Sequence, residues 1–456
     1  MAGYSSGLAA RTIAISRPAA AGSSLIVCMH GQAKRVVLFL QGPSSPFFAR
    51  LADAFVARGH EVRRINICPG DHLFWRRPAT NYRRSLEDWP DFIDAYLERE
   101  RVSDIVLLGD RRPHHIIATE RAKARGIYVA VVELGYLRPD WLTLERDGMS
   151  VFSRFPTDPK VIRAIAARVP PPDLTVRFGA KFVNIAFWDV LYNLSNVLLW
   201  PLYPHYRWHA IHHPLAEYVG WIWRALRAPA ARRRTVGLMR RLQTNRSRLY
   251  FFPLQLATDY QLRHHSPFPN QHSAIRFVIA SFAREAPAGS LLLIKCHPLD
   301  NGLIGWRGII HHLAETFGVA QRVLYAEGGA LGALIKRSAG VVTINSTVGT
   351  TALVESRPVK VLGAAIYNMP GLCFQGPLDR FWCDATPPDP ELRDSFVRAI
   401  AATIQIKGGF FSEAALAAAV TAAADRIEAR RLNQPDAYVD FPPRLIPAAG
   451  EPIARL

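Results

Sequence analysis

At 456 residues the chain exceeds one ordinary hydrophobic core, so two domains are the default expectation. Apolar residues make up 49% of it and aromatics 10%, which excludes a disordered chain, and five scattered cysteines with no C-x-x-C pair exclude a disulfide or zinc framework. The formal net charge of +19 points to anionic partners; with no zinc finger, RNA-binding aromatic signature or basic zipper beside it, nucleic acid is not expected.

Residues 1–34 are rich in Ala, Ser and Gly, with Arg11 and Arg17 interrupting any apolar stretch. They read as a poorly ordered extension rather than a signal peptide. From Arg35 short apolar runs alternate with amphipathic ones. "RVVLFLQ", "EVRRINI", "DIVLLGD" and "IYVAVVE" read as strands, separated by helical patterns in "FFARLADAFVARGH", "SLEDWPDFIDAYLERE" and "HHIIATERAKARG". Such βα repeats predict a parallel sheet with helices on both faces, here a Rossmann-like domain over 35–155.

Residues 156–247 break the rhythm. The stretch 182–209 is aromatic and apolar, yet Asn184, Asp189, Asn193 and Asn196 make it too polar to span a bilayer. Between Arg224 and Arg248 stand nine arginines and no acid. Aromatics beside an arginine-rich segment suit a surface lying on anionic lipid; a helical hairpin between domains, with its aromatics in the core, fits the composition equally. His205, His209, His212 and His213 have helical spacing, but no H-E-x-x-H accompanies them, and packing or head-group contacts are expected rather than a metal site.

The βα rhythm resumes at 248–385 with "LYFFPLQ", "SLLLIKCHP", "RVLYAE", "GVVTIN" and "PVKVLG" as strands, a second Rossmann-like domain. Residues 386–456 hold Ala-rich helices, which either close the far end or cross back to the first domain, and a tail.

Two strand ends carry the chemistry. "LLLIKCHPLD" delivers Lys295, His297 and Pro298 to the edge where open α/β sheets bind ligands. "GVVTINSTVGTTALVES" ends a buried strand at Asn345, with Ser346 as N-cap of a helix beginning at Thr347. Ser346, Thr347, Thr350 and Thr351 offer hydroxyls, Gly349 would admit a ligand close to the backbone, and the helix start favours phosphate. Alone, this segment also fits a capped core helix; beside Lys295 and His297 the phosphate reading gains.

A His-Pro motif followed by a Ser/Thr-rich strand-to-helix turn resembles bacterial CMP-sugar transferases of GT-B architecture. With "QGPSSPFF", "ELGYLRPDWLTLE" and "PLQLATDYQLRHHSPF" in the same order, roughly residues 35–385 resemble the KpsS/LipB capsule polysaccharide proteins. That resemblance implies two Rossmann-like domains facing a cleft with a membrane-associated helical insertion, and a retaining β-Kdo transferase. It would use CMP-Kdo to start the Kdo linker on phosphatidylglycerol at the inner face of the cytoplasmic membrane, without a cofactor, alongside other capsule biosynthesis or export proteins. Asp259, the acid of the motif Gln255-x-x-x-Asp259, becomes the nucleophile by resemblance; by itself it reads as a cap or turn aspartate. Glu133 ends a strand and is assigned as acid/base, with an ion pair to Arg138 as the plainer alternative. Leu134 stands where the family pattern has a second acid. Kdo carries a carboxylate, for which Arg138 and Arg263 are candidates, and Gln255 and Gln41 are candidate substrate or acceptor contacts. Lys295, His297 and the helix start would meet the departing CMP charge, so that step calls for no metal. Transfer of another CMP-activated acid, such as a sialic acid, and a non-catalytic role in capsule assembly or export are the two rivals.

Overall fold

The computed structural model describes residues 34–179, 182–207, 214–256 and 266–444, and everything from Arg35 onward clusters as one unit. Strands β1 (Val36–Phe39), β2 (Glu61–Asn66), β3 (Thr80–Asn81), β4 (Asp104–Leu108), β5 (Tyr128–Leu134), β6 (Trp141–Arg146) and β12 (Gln405–Lys407) form one sheet in the order β12-β6-β5-β4-β1-β2-β3. The second sheet, β11-β10-β7-β8-β9, comprises β7 (Leu249–Pro253), β8 (Leu291–Lys295), β9 (Val323–Ala326), β10 (Gly340–Thr343) and β11 (Val359–Val361), all parallel. The α/β architecture with two largely parallel sheets is the one the βα rhythm predicts.

Both faces of the second sheet are covered, and the pleat shows why the strands read as unbroken apolar runs. Leu249, Phe251, Leu291 and Leu293 enter one core, while Tyr250, Phe252, Leu292 and Ile294 enter the other. The sheet order also locates the sites. The chain runs outward from β7 through β8 to β9, then returns to β7's other flank with β10, so the connections diverge between β7 and β10. In the first sheet the same divergence lies between β1 and β4. Ligands of open α/β sheets bind at the carboxyl ends of strands at such switch points.

Two strands depart from the parallel reading: β6 runs antiparallel to β5, and β12 runs antiparallel to β6. The segment after residue 386 crosses back to the first sheet. Its last helix (Glu413–Glu428) is pinned to the first helix (Phe47–Ala57) and its C-cap, with Arg58 paired to Asp425 and Glu428, and Arg50 to Glu413. The insertion is helical, α5 (Phe182–Leu198) and α6 (Pro214–Thr244), joined through a short 3-10 turn at Trp200–Leu202; helices α1–α4 precede them at Phe47–Ala57, Trp89–Arg99, Pro113–Ala124 and Pro159–Ala167. No described helix is long and apolar enough to cross a membrane.

Candidate functional site

The carboxyl edge of the second sheet brings the two sequence motifs together. At its switch point the Gln255 side-chain amide donates to Asn345 Oδ1 at 2.8 Å, and the Asn345 backbone N–H donates to Gln255 Oε1 at 3.3 Å. Gln255 is buried, and its own N–H donates to Gln271 Oε1 at 3.1 Å. This glutamine holds the loop after β10 rather than standing open to substrate.

One strand over, β8 ends at Lys295, which is buried and donates to the Cys296 carbonyl at 3.3 Å; burial pulls its pKa down. His297 Nδ1 accepts the Leu299 N–H at 3.1 Å, which puts the ring proton on Nε2. Burial first, then the positive charges of Arg138 and Lys295, lower the His297 pKa to about 4. The ring is therefore neutral at neutral pH and offers an N–H. Pro298 is exposed at the turn. Asp300 fixes that turn: its carboxylate accepts from the Gly302 N–H at 2.8 Å and Trp306 Nε1 at 3.0 Å, while its carbonyl accepts from Arg224 on α6.

After β10, Ser346 Oγ accepts the Val348 N–H at 3.2 Å, which leaves its hydroxyl hydrogen to donate elsewhere. Two expectations change here. The helix starts at Val348, with Thr347 as the cap residue in αR geometry, and spans only Val348–Val354, so its dipole is short. Gly349 does not open the backbone to a ligand: a Cβ there would fall 2.3 Å from the Tyr367 hydroxyl oxygen, which itself donates to the Ser346 carbonyl. The glycine exists to admit Tyr367 beneath the turn. Thr350 is buried, and its Oγ1 has no hydrogen-bond partner among the described residues.

On the first sheet, Glu133 is half-buried near the end of β5, opposite Thr143, and its Oε1 accepts the Leu134 N–H at 2.9 Å. A Cβ on Gly109 would lie 3.3 Å from Glu133 Oε2, and Gly109 has φ +61°, so this glycine both turns the chain after β4 and makes room for the carboxylate. Arg138 is exposed in the following loop, Nε donating to the Gly135 carbonyl at 3.3 Å; its charge acts on His297, so this loop of the first sheet lies near the end of β8. Gln41 has a different role from the acceptor contact expected of it. It is buried, with Nε2 donating to the Tyr192 hydroxyl at 2.7 Å and to Cys68 Sγ at 3.3 Å, so it docks α5 at the first sheet's switch point. Asp259 and Arg263 lie outside the described residues, as do His209, His212 and His213; His205 is exposed. His114 packs edge-on against Trp89 and Tyr82 as part of α3.

Three features of this edge have no signature in the linear sequence. Arg224 reaches it from the insertion, Tyr367 supports it from below, and Glu327 follows β9, paired with Arg234 and Arg307. Between α6 and this edge lies a cavity of about 670 Å³, lined by Arg224, Cys296, Trp306, Tyr325, Glu327 and Gly329 among others.

Residues 103–411 match the family model described as capsule polysaccharide biosynthesis protein. The chain belongs to that family. Among its capsule relatives, the capsule polysaccharide modification protein LipB of Neisseria meningitidis serogroup A is 33% identical over 395 residues, covering 83% of this chain and 92% of LipB. The capsule polysaccharide export protein KpsS of Escherichia coli is 32% identical over 380 residues, covering 82% of this chain and 96% of KpsS. Among solved structures, the β-Kdo 2,7 transferase of Thermosulfurimonas dismutans KpsC superposes with a TM-score of 0.43 at 12% identity, covering 86% of this chain and 99% of that one. The capsule family match takes in Glu133, Arg138, the whole insertion, Lys295–Asp300 and Asn345–Thr350.

Proposed function

We propose that this capsule biosynthesis protein is a retaining glycosyltransferase that takes Kdo from CMP-Kdo and passes it to the hydroxyl of an anionic glycerolipid, phosphatidylglycerol, at the inner face of the cytoplasmic membrane. The observation that carries the reading is the placement, along the carboxyl edge of one sheet, of Lys295 and the neutral His297 with its proton on Nε2 after β8, and of the Ser346 hydroxyl after β10, with β7 between them and the switch point at β7–β10. These are a cation and neutral donors of the kind that receive a phosphate ester. The buried Thr350 hydroxyl, without a partner among the described residues, supports it, since a buried polar atom costs about 1–3 kcal/mol until something satisfies it. The adjoining cavity has room for a nucleoside, and Glu327 is a carboxylate able to accept from a ribose diol.

Retention at the anomeric carbon requires two inversions or a shielded ion pair. In the first route an Asp259 oxygen attacks the Kdo anomeric carbon as its bond to the phosphate oxygen breaks, and CMP departs with its charge met by Lys295, His297 and Ser346. Glu133 then takes the proton of the acceptor hydroxyl, whose oxygen displaces Asp259. In this reading a guanidinium holds the Kdo carboxylate, with Arg138, whose charge acts on His297, and Arg263 as the candidates.

Incubation with CMP-Kdo and no acceptor, followed by intact-protein mass and peptide mapping, tests the double displacement. A single Kdo adduct on the peptide bearing Asp259, absent from Asp259→Ala, is expected. Full transfer activity in Asp259→Ala would overturn the nucleophile. Competition between CMP-Kdo and CMP-sialic acid for binding decides the sugar, which phosphate contacts do not read.

A further inference from the structure

Helix α5 is an inside-out amphipathic helix. Its hydrogen-bonding side faces the protein: Tyr192 meets Gln41 and Cys68, Asn196 Oδ1 accepts the Gly70 N–H at 2.6 Å, and Trp188 packs edge-on against Phe74 at 5.4 Å. A Cβ on Gly70 would fall 2.6 Å from the Tyr192 ring, so this contact is close and specific. The opposite side is aliphatic and aromatic and open to solvent. Val183, Phe187, Val190, Leu194 and Leu198 recur at spacings that place them within an arc of about 80° at 3.6 residues per turn. Val183 is 72% exposed and Leu198 66%. The 3-10 turn continues the surface with Leu199, Trp200 and Leu202, all exposed.

Helix α6 repeats the pattern and adds charge. Arg224, Thr235 and Met239 turn toward the second domain, meeting the Asp300 carbonyl, Gly328 and Gly329. On the outer side Val219, Ile222 and Leu226 are exposed, Leu226 at 70%; Trp223, also exposed, stands at the rim and lines the cavity beside the second sheet. At helical spacing, Arg233, Arg240 and Arg241 continue that same outer face, and all three are exposed. Arg227 lies over the Trp223 ring at 4.1 Å, a cation held against an apolar body. Apolar area this extensive on a monomer's surface marks an interaction site. A protein partner would need complementary shape along two helices. A bilayer needs only an apolar stripe, flanking cations and helices too polar to cross, and all three are present.

We propose that α5, the turn at 199–202 and α6 form a docking face that lies on an anionic bilayer, with the apolar stripes at the acyl boundary and the outer arginines among the headgroup phosphates. The proposal rests on the lipid-acceptor reading for its purpose, while the stripes stand without the donor chemistry. The full-length protein is floated with vesicles of phosphatidylcholine alone and of phosphatidylcholine with phosphatidylglycerol at roughly 7:3. The expected result is binding to the acidic vesicles only, weakened at high salt. A Phe187→Glu/Leu226→Glu variant and an Arg233→Glu/Arg240→Glu variant should each bind roughly tenfold or more weakly. All four side chains are exposed, so thermal unfolding should be unchanged and folding is checked directly. In the unaltered protein, brominated phosphatidylglycerol should quench tryptophan fluorescence, and this readout needs no variant. No binding to acidic vesicles, equal binding to neutral ones, or full binding by either variant overturns the proposal. So does a dimer in sedimentation that the Phe187→Glu/Leu226→Glu variant dissociates, which would make the face a contact between two copies. Because vesicle binding requires no CMP-Kdo, failure of the transferase reading leaves these results interpretable on their own.

Discussion

Gln255 and Asn345, ninety positions apart, exchange two hydrogen bonds across the switch point of the second sheet, one at 2.8 Å and one at 3.3 Å. Replacing Gln255 with Ala leaves the Asn345 N–H and side chain without these partners. A loss of about 1–3 kcal/mol of stability follows for the partners left unsatisfied. The loop carrying Ser346 should also loosen, so CMP binding by calorimetry should weaken roughly tenfold, a change of about 1.4 kcal/mol. Unchanged CMP affinity would show that Asn345 holds its place without Gln255.

Gly349 and Tyr367 form a second pair. Gly349→Ala drives a methyl into the Tyr367 ring and hydroxyl, and about 1–3 kcal/mol of destabilisation is expected in denaturant unfolding. In Tyr367→Leu the ring is gone, so Gly349→Ala should cost much less in that background. Additive effects of the two substitutions would contradict the contact.

His297 and His114 each have a pKa of about 4, lowered from 6.5 chiefly by burial. Between pH 6.5 and 4 the unfolded chain binds more protons at these positions than the folded one. Their contribution is therefore fully present above pH 6.5 and is lost as pH falls through that window, on the order of 2 kcal/mol each. A His114→Asn/His297→Asn double variant should show a flatter stability profile over this range in chemical denaturation. Bound CMP offsets the charges of Arg138 and Lys295 that oppose protonation, so the His297 resonance should titrate at higher pH with CMP than without.

Glu133→Gln keeps the shape of the side chain and removes its basicity. Transfer to the acceptor should fall by about 10²- to 10⁴-fold. CMP affinity should stay unchanged, because Glu133 stands on the first sheet, whereas Lys295, His297 and Ser346, to which the proposed function gives the phosphate, follow strands of the second. A parallel loss of CMP binding would mean that the carboxylate holds the cleft together rather than taking a proton.

The strands and their chemical ends were legible because both signals are local. Runs such as Leu291–Ile294 are apolar on both faces of a covered sheet, and Lys295–Pro298 break that pattern within three residues. What the sequence hid depends on contacts between distant positions. Gln41 reads as an open polar group at a strand end, until Tyr192, 151 residues on, occupies it. Gly349 looks like room for a ligand, until Tyr367 fills the space. The antiparallel strand β12 and the approach of Arg224 to Asp300 have the same origin: the partner is fixed by tertiary packing, which periodicity does not encode. The arginine-rich composition was visible, but only the burial of one side of each helix shows which residues face outward.

The most direct test of the central claim is transfer itself. The purified protein is incubated with CMP-Kdo and a fluorescent phosphatidylglycerol, and the lipid is analysed by mass. The account predicts a lipid heavier by one Kdo, with product lost in His297→Ala and in Glu133→Gln. Bound CMP-Kdo with the lipid unaltered would contradict the acceptor, and failure to bind CMP-Kdo at all would contradict the donor reading of the Lys295–His297–Ser346 edge.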